Sequence, residues 1–206
     1  MKTLEKYKNK YRIKSSRLQG YDYSENGMYF VTICTKEREH FFGKIKNYRM
    51  ILNKTGEIVD QFWQEIFRYF PFIKLDTYQI MPNHIHGLIE IIKEIDNYVE
   101  TRFTASQNLI SKDAINRVST KIRGGITGND NPMLNLGSLS NVIKWYKGRC
   151  SFEIRQQPNP ITFAWQSRFY DHIIRNEIEL NKIREYIISN PEMWERDRNN
   201  IENLWM

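Results

Sequence analysis

Long apolar runs are missing from this chain. No stretch approaches the ~20 consecutive apolar residues of a membrane-spanning helix. The opening MKTLEKYKNKYRIK also lacks the apolar core of a signal peptide. A cytoplasmic protein with no membrane partner is therefore expected. Cysteine is almost absent: Cys34 and Cys150 show neither CxxC spacing nor a Cys/His pairing, so reduced, structural thiols are expected rather than a disulfide. No internal repeat is apparent. What remains is ordinary globular composition, with 206 residues of which 40% are hydrophobic and 14% aromatic, well away from disordered chains. That length fits one domain, 1–206, able to bury a core without staples.

Charge is unevenly spread. Lys and Arg number 31 against 24 Asp and Glu, a net +7. Residues 1–20 hold Lys2, Lys6, Lys8, Lys10, Arg12, Lys14 and Arg17 against Glu5 alone, so nearly all the excess lies in this arm. Lys8, Lys10, Arg12, Lys14 and Arg17 are candidates for neutralising phosphates, with Tyr7 and Tyr11 available to stack on bases; a merely solvated basic tail is the plainer alternative.

Strands alternate with helices along the sequence. MYFVTICT (28–35) is β-branched and aromatic and reads as a central strand. From Asn53, a plausible N-cap, the spacing of Ile58, Val59, Phe62, Trp63, Ile66 and Phe70 is helical until Pro71. TYQIMP and HIHGLIEII are β-rich runs parted by the turn dipeptide Pro82-Asn83, which suggests antiparallel neighbours. A second helix fits 138–156, capped by Ser138 or Ser140, and WQSRFYDHIIR (165–175) reads as another strand. A last helix begins near Asn176, where Asn176 and Glu179 resemble a capping box and Leu180, Ile183 and Ile187 form the apolar stripe. This order predicts an α+β, ferredoxin-like sandwich: an antiparallel sheet with helices on one face plus an added C-terminal helix. The polar stretch 100–137, with Gly124, Gly125, Gly128 and Gly137, reads as an inserted mobile loop.

Chemistry enters at His84-Ile85-His86. Side chains two apart on a strand share a face, so both imidazoles can address one metal while Ile85 packs behind them, although taken alone such a pair more often serves ordinary packing or hydrogen bonding. Tyr186 and Asn190, four apart on the last helix, lie on one side of it. Taken alone, Tyr186 could be a half-buried core residue and Asn190 a helix-ending residue before Pro191. Tyr170, near Asp171 and His172, is a rival nucleophile for which a structural role is favoured; Arg168 and Arg175 could meet phosphates nearby. His40 has no partner pattern and is assigned no role.

The words RLQGYDYSENGMYFVTICT, YQIMPNHIHGLIEI, WQSRFYDHIIRNE and YIISNPEMW span residues 17–194. In that order they resemble the single-tyrosine HUH transposases, and within them the REP-associated tyrosine transposases. The resemblance implies the same ferredoxin-like fold. It also implies that His84 and His86 bind a metal, that Tyr186 is the nucleophile carried by the C-terminal helix, and that Asn190 completes the metal site. Residues 100–137 match no motif of the family.

On that reading the protein cleaves and rejoins single-stranded or hairpin DNA through a 5′-phosphotyrosine, as in DNA transposition and recombination. A divalent ion, Mg²⁺ or Mn²⁺, would polarise the phosphate, and no nucleotide cofactor is expected because the tyrosyl ester keeps the bond energy. Two imidazoles and one amide oxygen supply no anionic ligand, so loose metal binding is expected. A monomer and a homodimer are both compatible with the sequence. Two alternatives stand beside this reading. One is a domesticated DNA-hairpin-binding protein on the same fold. The other is a metal-dependent hydrolase that adds Glu90, on the same strand face, to the histidine pair.

Overall fold

The structure is a computed structural model, and it describes residues 21–93, 137–158, 161–197 and 199–200. The basic arm lies outside the described residues, as does the 100–137 segment except for its last residue. The elements run β1 (Gly27–Cys34), β2 (Gly43–Lys46), β3 (Arg49–Leu52), α1 (Lys54–Tyr69), β4 (Ile73–Ile80), β5 (His84–Ile91), α2 (Leu139–Arg155), β6 (Tyr170–Ile174) and α3 (Glu177–Ser189). Four strands form one antiparallel sheet in the order β4-β5-β1-β6, and β2 and β3 form a separate two-stranded ribbon. This is the α+β arrangement expected.

Side-chain alternation sorts the sheet into two faces. Tyr29, Val31 and Ile33 of β1 and Ile85, Ile89 and Ile91 of β5 join the main core against α1 and α2. Phe30 and Leu88 turn the other way and pack on Leu180 and Ile187 of α3. Helices thus cover both faces, with α3 alone on the second.

Local chemistry explains the helix boundaries. The Asn53 side chain accepts from Gly56 N at 3.0 Å and starts α1, which ends at Tyr69 just before Pro71. Ser138 caps α2, accepting from Asn141 N at 3.3 Å. Asn176 accepts from Glu179 N at 2.8 Å, and Glu179 returns a bond, though to Arg175 N rather than to the cap residue itself. Gly87, between His86 and Leu88, lets the ring of Trp63 lie against the strand: a Cβ there would stand 2.2 Å from the indole.

Two departures from the sequence reading stand out. Strand β6 is shorter than 165–175: Trp165 makes only an isolated bridge to Thr35, and the chain leaves the sheet until Tyr170. The β2–β3 ribbon was not anticipated; its turn places Asn47 and Tyr48 at φ 51° and 58°, without the glycine that usually signals such a hairpin.

Strand β4 carries a bulge between Leu75 and Tyr78. The extra residue keeps Ile73, Leu75, Tyr78 and Ile80 on the core side and turns Asp76 toward α3. There Arg184 grips it with two bonds, Nε to Oδ1 at 3.1 Å and Nη2 to Oδ2 at 2.6 Å. The clamp matters because α3 buries only Leu180 and Ile187 fully. Arg184 holds the Asp76 carboxyl down to about 2, assisted by Thr77 and opposed by burial. A carboxyl lowered on folding stabilises above its unfolded value of about 3.9, and that contribution is lost as pH falls from about 4 toward 2. Arg184→Met is therefore expected to be less stable than wild type at pH 7, with the gap closing between pH 4 and 2. Denaturant unfolding at several pH values reads this, and a gap independent of pH would contradict it.

Candidate metal and nucleophile site

The period of β5 sends His84 and His86 to the α3 side, and both rings are fully buried. Their Nε2 atoms lie 3.0 Å apart. Each ring is held from behind. Asn83 Nδ2 donates to Arg38 O at 2.8 Å and to Asn199 O at 2.7 Å, which turns Asn83 Oδ1 toward His84 Nδ1 at 2.7 Å. An oxygen there requires His84 Nδ1 to carry a proton, and in the neutral ring that leaves Nε2 with a bare lone pair. His86 Nδ1 lies 2.9 Å from Thr32 Oγ1 on the neighbouring strand, and with Thr32 as acceptor its Nε2 is bare too. Outer partners on the far ring nitrogen are the usual support of metal-binding histidines.

Rings pack around the pair. Trp194 stacks on His84 with centroids 6.1 Å apart, Phe30 stacks on His86 at 5.4 Å, and Trp194 also touches His40, which had been assigned no role.

The donor set fits a divalent ion. Two ligands at right angles on an ion with bonds of ~2.1 Å lie ~3 Å apart, which is the Nε2 separation here. Asp197 brings a buried carboxylate, its Oδ2 3.8 Å from His84 Nε2, and one ligand atom from each of the three residues falls within 4.8 Å of the others. Asn190, the C-cap of α3 one turn after Tyr186, has its Oδ1 buried with no hydrogen-bond partner, while the three residues whose ligand atoms cluster are His84, His86 and Asp197. A carboxylate that the sequence reading did not include thus stands beside the imidazoles. It is Asp197 rather than Glu90, which faces the same side of β5 but pairs with Lys74 at 3.8 Å.

Tyr186 stands over this cluster. Its hydroxyl lies 3.2 Å from His86 Nε2 and its ring is edge-on to Phe30, while 42% of the residue remains exposed. An ion on His86 Nε2 would take up the lone pair that otherwise meets the Tyr186 hydroxyl. Tyr170 shares the sheet face and meets Phe30 at 6.2 Å, but His172 beside it is held to Glu179 at 2.7 Å. Hydrogen bonds to that glutamate from Arg175 N and His172 lower its carboxyl.

A cleft of about 210 Å³ adjoins the site, with Thr32, Arg38, Arg168, Tyr170 and Asn199 on its wall. Arg168 is exposed there, and Arg38 holds a left-handed conformation at φ 58°. The Arg175 side chain is exposed beyond β6. Lys8, Lys10, Arg12, Lys14 and Arg17 lie outside the described residues. Sequence reasoning missed Asp197, Asn83, Thr32 and Trp194. For Asn83 the only signal was its place directly before the histidine pair; Asp197 sits in a polar run with no period at all.

Among the described residues no helix is long and apolar enough to cross a membrane. No protein-family model matches the chain. Among solved structures, a REP-associated tyrosine transposase bound to a REP hairpin shares the fold, with a TM-score of 0.52 and 16% identity over 87% of this chain and 74% of that one. An uncharacterized protein of Haemophilus influenzae is 33% identical over 189 residues, 90% of this chain and 91% of the relative. At that identity and coverage, the chain belongs to the same family as the Haemophilus influenzae protein.

Proposed function

We propose that this protein is an HUH strand transferase of the REP-associated tyrosine type, which cuts single-stranded or hairpin-flanked DNA through Tyr186 and rejoins it. The observation that carries this reading is the 3.2 Å approach of the Tyr186 hydroxyl to His86 Nε2, itself 3.0 Å from a second imidazole nitrogen. The motifs of the resemblance and a fold shared with a hairpin-bound transposase support the DNA substrate.

A divalent ion held by His84 and His86 with Asp197 or Asn190, Mg²⁺ or Mn²⁺, would polarise a non-bridging phosphate oxygen and stabilise the charge that develops there. The chain's own residues do the rest. Asn83 and Thr32 fix the two imidazoles, and α3 presents the phenol from its exposed edge. Tyr186 Oη bonds to phosphorus as the bond from phosphorus to the 3′ oxygen breaks; the phenol loses a proton and the leaving oxygen gains one. The products are a 5′-phosphotyrosine and a free 3′ hydroxyl, and the reverse attack rejoins the strand without a nucleotide cofactor. Arg168 and Arg38, on the cleft wall, are positioned to hold the strand's phosphates.

Asp197 favours one second reading, because two imidazoles with a carboxylate are also a hydrolytic metal set. One experiment separates the two. Full-length protein is incubated with Mn²⁺ and a 3′-labelled oligonucleotide carrying a hairpin and an unpaired flank, then run on a denaturing gel. The expected result is label retained on the protein, with much less retained from a fully paired oligonucleotide. Free fragments without an adduct would indicate hydrolysis, and binding without cleavage would indicate a DNA-binding protein; either outcome overturns the proposal.

A further inference from the structure

The β2–β3 ribbon takes no part in the site described above, yet it departs from what a merely structural hairpin would carry. Lys46 and Arg49 are paired directly across the two strands, where like charges repel. Tyr48 occupies the second turn position at φ 58°, a conformation that suits glycine or asparagine and is strained for a bulky ring. That residue is 68% exposed. Lys44, Lys46 and Arg49 all point to solvent, and among the described residues none of them has a carboxylate partner. No acidic residue occurs between Glu39 and Glu57. Several local preferences are thus broken within one short turn, and each is broken in favour of exposed positive charge around an exposed aromatic ring. Such concentrated conflict between local preference and structure is characteristic of binding surfaces.

The position is as informative as the composition. Just before the ribbon, Phe42 N–H donates to Pro82 O at 3.0 Å, two residues ahead of His84, and Asn53 N–H returns to Phe42 O at 3.0 Å. The root of the ribbon is therefore tied to the turn that leads into the histidine strand. Four-residue strands reach about 13 Å from that root.

We propose that the ribbon is a second DNA-contacting element, in which Lys44, Lys46 and Arg49 neutralise phosphates of an unpaired strand and Tyr48 stacks on one of its bases. This rests on the DNA reading above. An unpaired strand is the occupant that fits: a narrow tip presents cations on both strands and a single ring, which matches a linear polyanion with splayed bases. A membrane would require a broader apolar face than Ile51 and Tyr48 supply.

The test uses full-length protein and two variants, Tyr48→Gly and the triple Lys44→Gln, Lys46→Gln, Arg49→Gln. Both changes relieve strain or repulsion, so thermal midpoints are expected to equal or exceed that of wild type. Affinity should move the opposite way. In fluorescence titrations with a hairpin oligonucleotide bearing an unpaired flank, Tyr48→Gly is expected to bind about tenfold more weakly. The triple variant should lose at least about tenfold near 0.1 M salt, and its slope of log affinity against log salt should shrink by about two. Removing the unpaired flank should erase most of the difference between wild type and both variants. Wild-type binding with unchanged affinity and salt slope in the variants overturns the ribbon assignment and leaves the proposed function standing. Failure of wild type to bind any oligonucleotide removes both.

Discussion

Tyr186→Phe is expected to bind oligonucleotide like wild type and to form no covalent adduct. The substitution deletes one oxygen whose described hydrogen bond is to His86 Nε2, on a residue already 42% exposed, so the effect on stability should lie within about 1 kcal/mol. Ring packing on Phe30 survives because the phenyl group is retained. The chemistry, in contrast, has no second oxygen at that place, and cleavage should fall by more than ~1,000-fold. Tyr170→Phe is the matched control. Its ring meets the same phenylalanine, yet cleavage should stay within a few-fold of wild type. Denaturing gels with 3′-labelled substrate read both variants. An undiminished adduct in Tyr186→Phe would remove the nucleophile assignment and transfer attention to Tyr170.

Metal removal should have an effect of the same size. Excess EDTA, His84→Ala and His86→Ala are each expected to take cleavage below detection, and Mn²⁺ should restore the EDTA-treated protein at least as well as Mg²⁺ because imidazole suits it better. The alanine variants also strand Asn83 Oδ1 or Thr32 Oγ1 in a buried place, at a cost of about 1–3 kcal/mol, so each needs an unfolding curve beside its activity. Asp197→Asn and Asn190→Ala divide the remaining donors between them. Whichever residue joins the histidines should raise the Mn²⁺ concentration for half-maximal cleavage by about 10- to 100-fold, with the maximal rate less affected. Full cleavage by wild type in excess EDTA would end the metal assignment.

The parts of the fold that were legible in sequence are those whose causes are local. Asn53, Ser138 and Asn176 cap their helices with their own side chains, and apolar spacing then fixes which face is buried. The histidine pair was legible for the same reason, since a period of two puts both rings on one side of any strand. The ribbon escaped because its turn is built on Asn47-Tyr48, and a tyrosine in the left-handed region is not a turn signal. The bulge at Asp76 and Thr77 escaped because an extra residue shows only against a partner strand. Asp197 escaped for a stronger reason. Nothing in ERDRNN distinguishes one acid from another, and only the folded chain sets it 3.8 Å from His84 Nε2.

The hydrogen bond from Asn83 Nδ2 to Asn199 O spans 116 residues of sequence. At translation speeds of about 5–20 residues per second, the histidine strand leaves the ribosome roughly 6–23 seconds before the segment that encloses it. During that interval a nascent chain holds both imidazoles but lacks the carboxylate of Asp197, the stacking ring of Trp194 and the carbonyl that aligns Asn83. The surroundings of the histidine pair are therefore completed only once the segment through Asn199 has emerged, and a chain truncated before Trp194 carries its histidines without the groups that organise them.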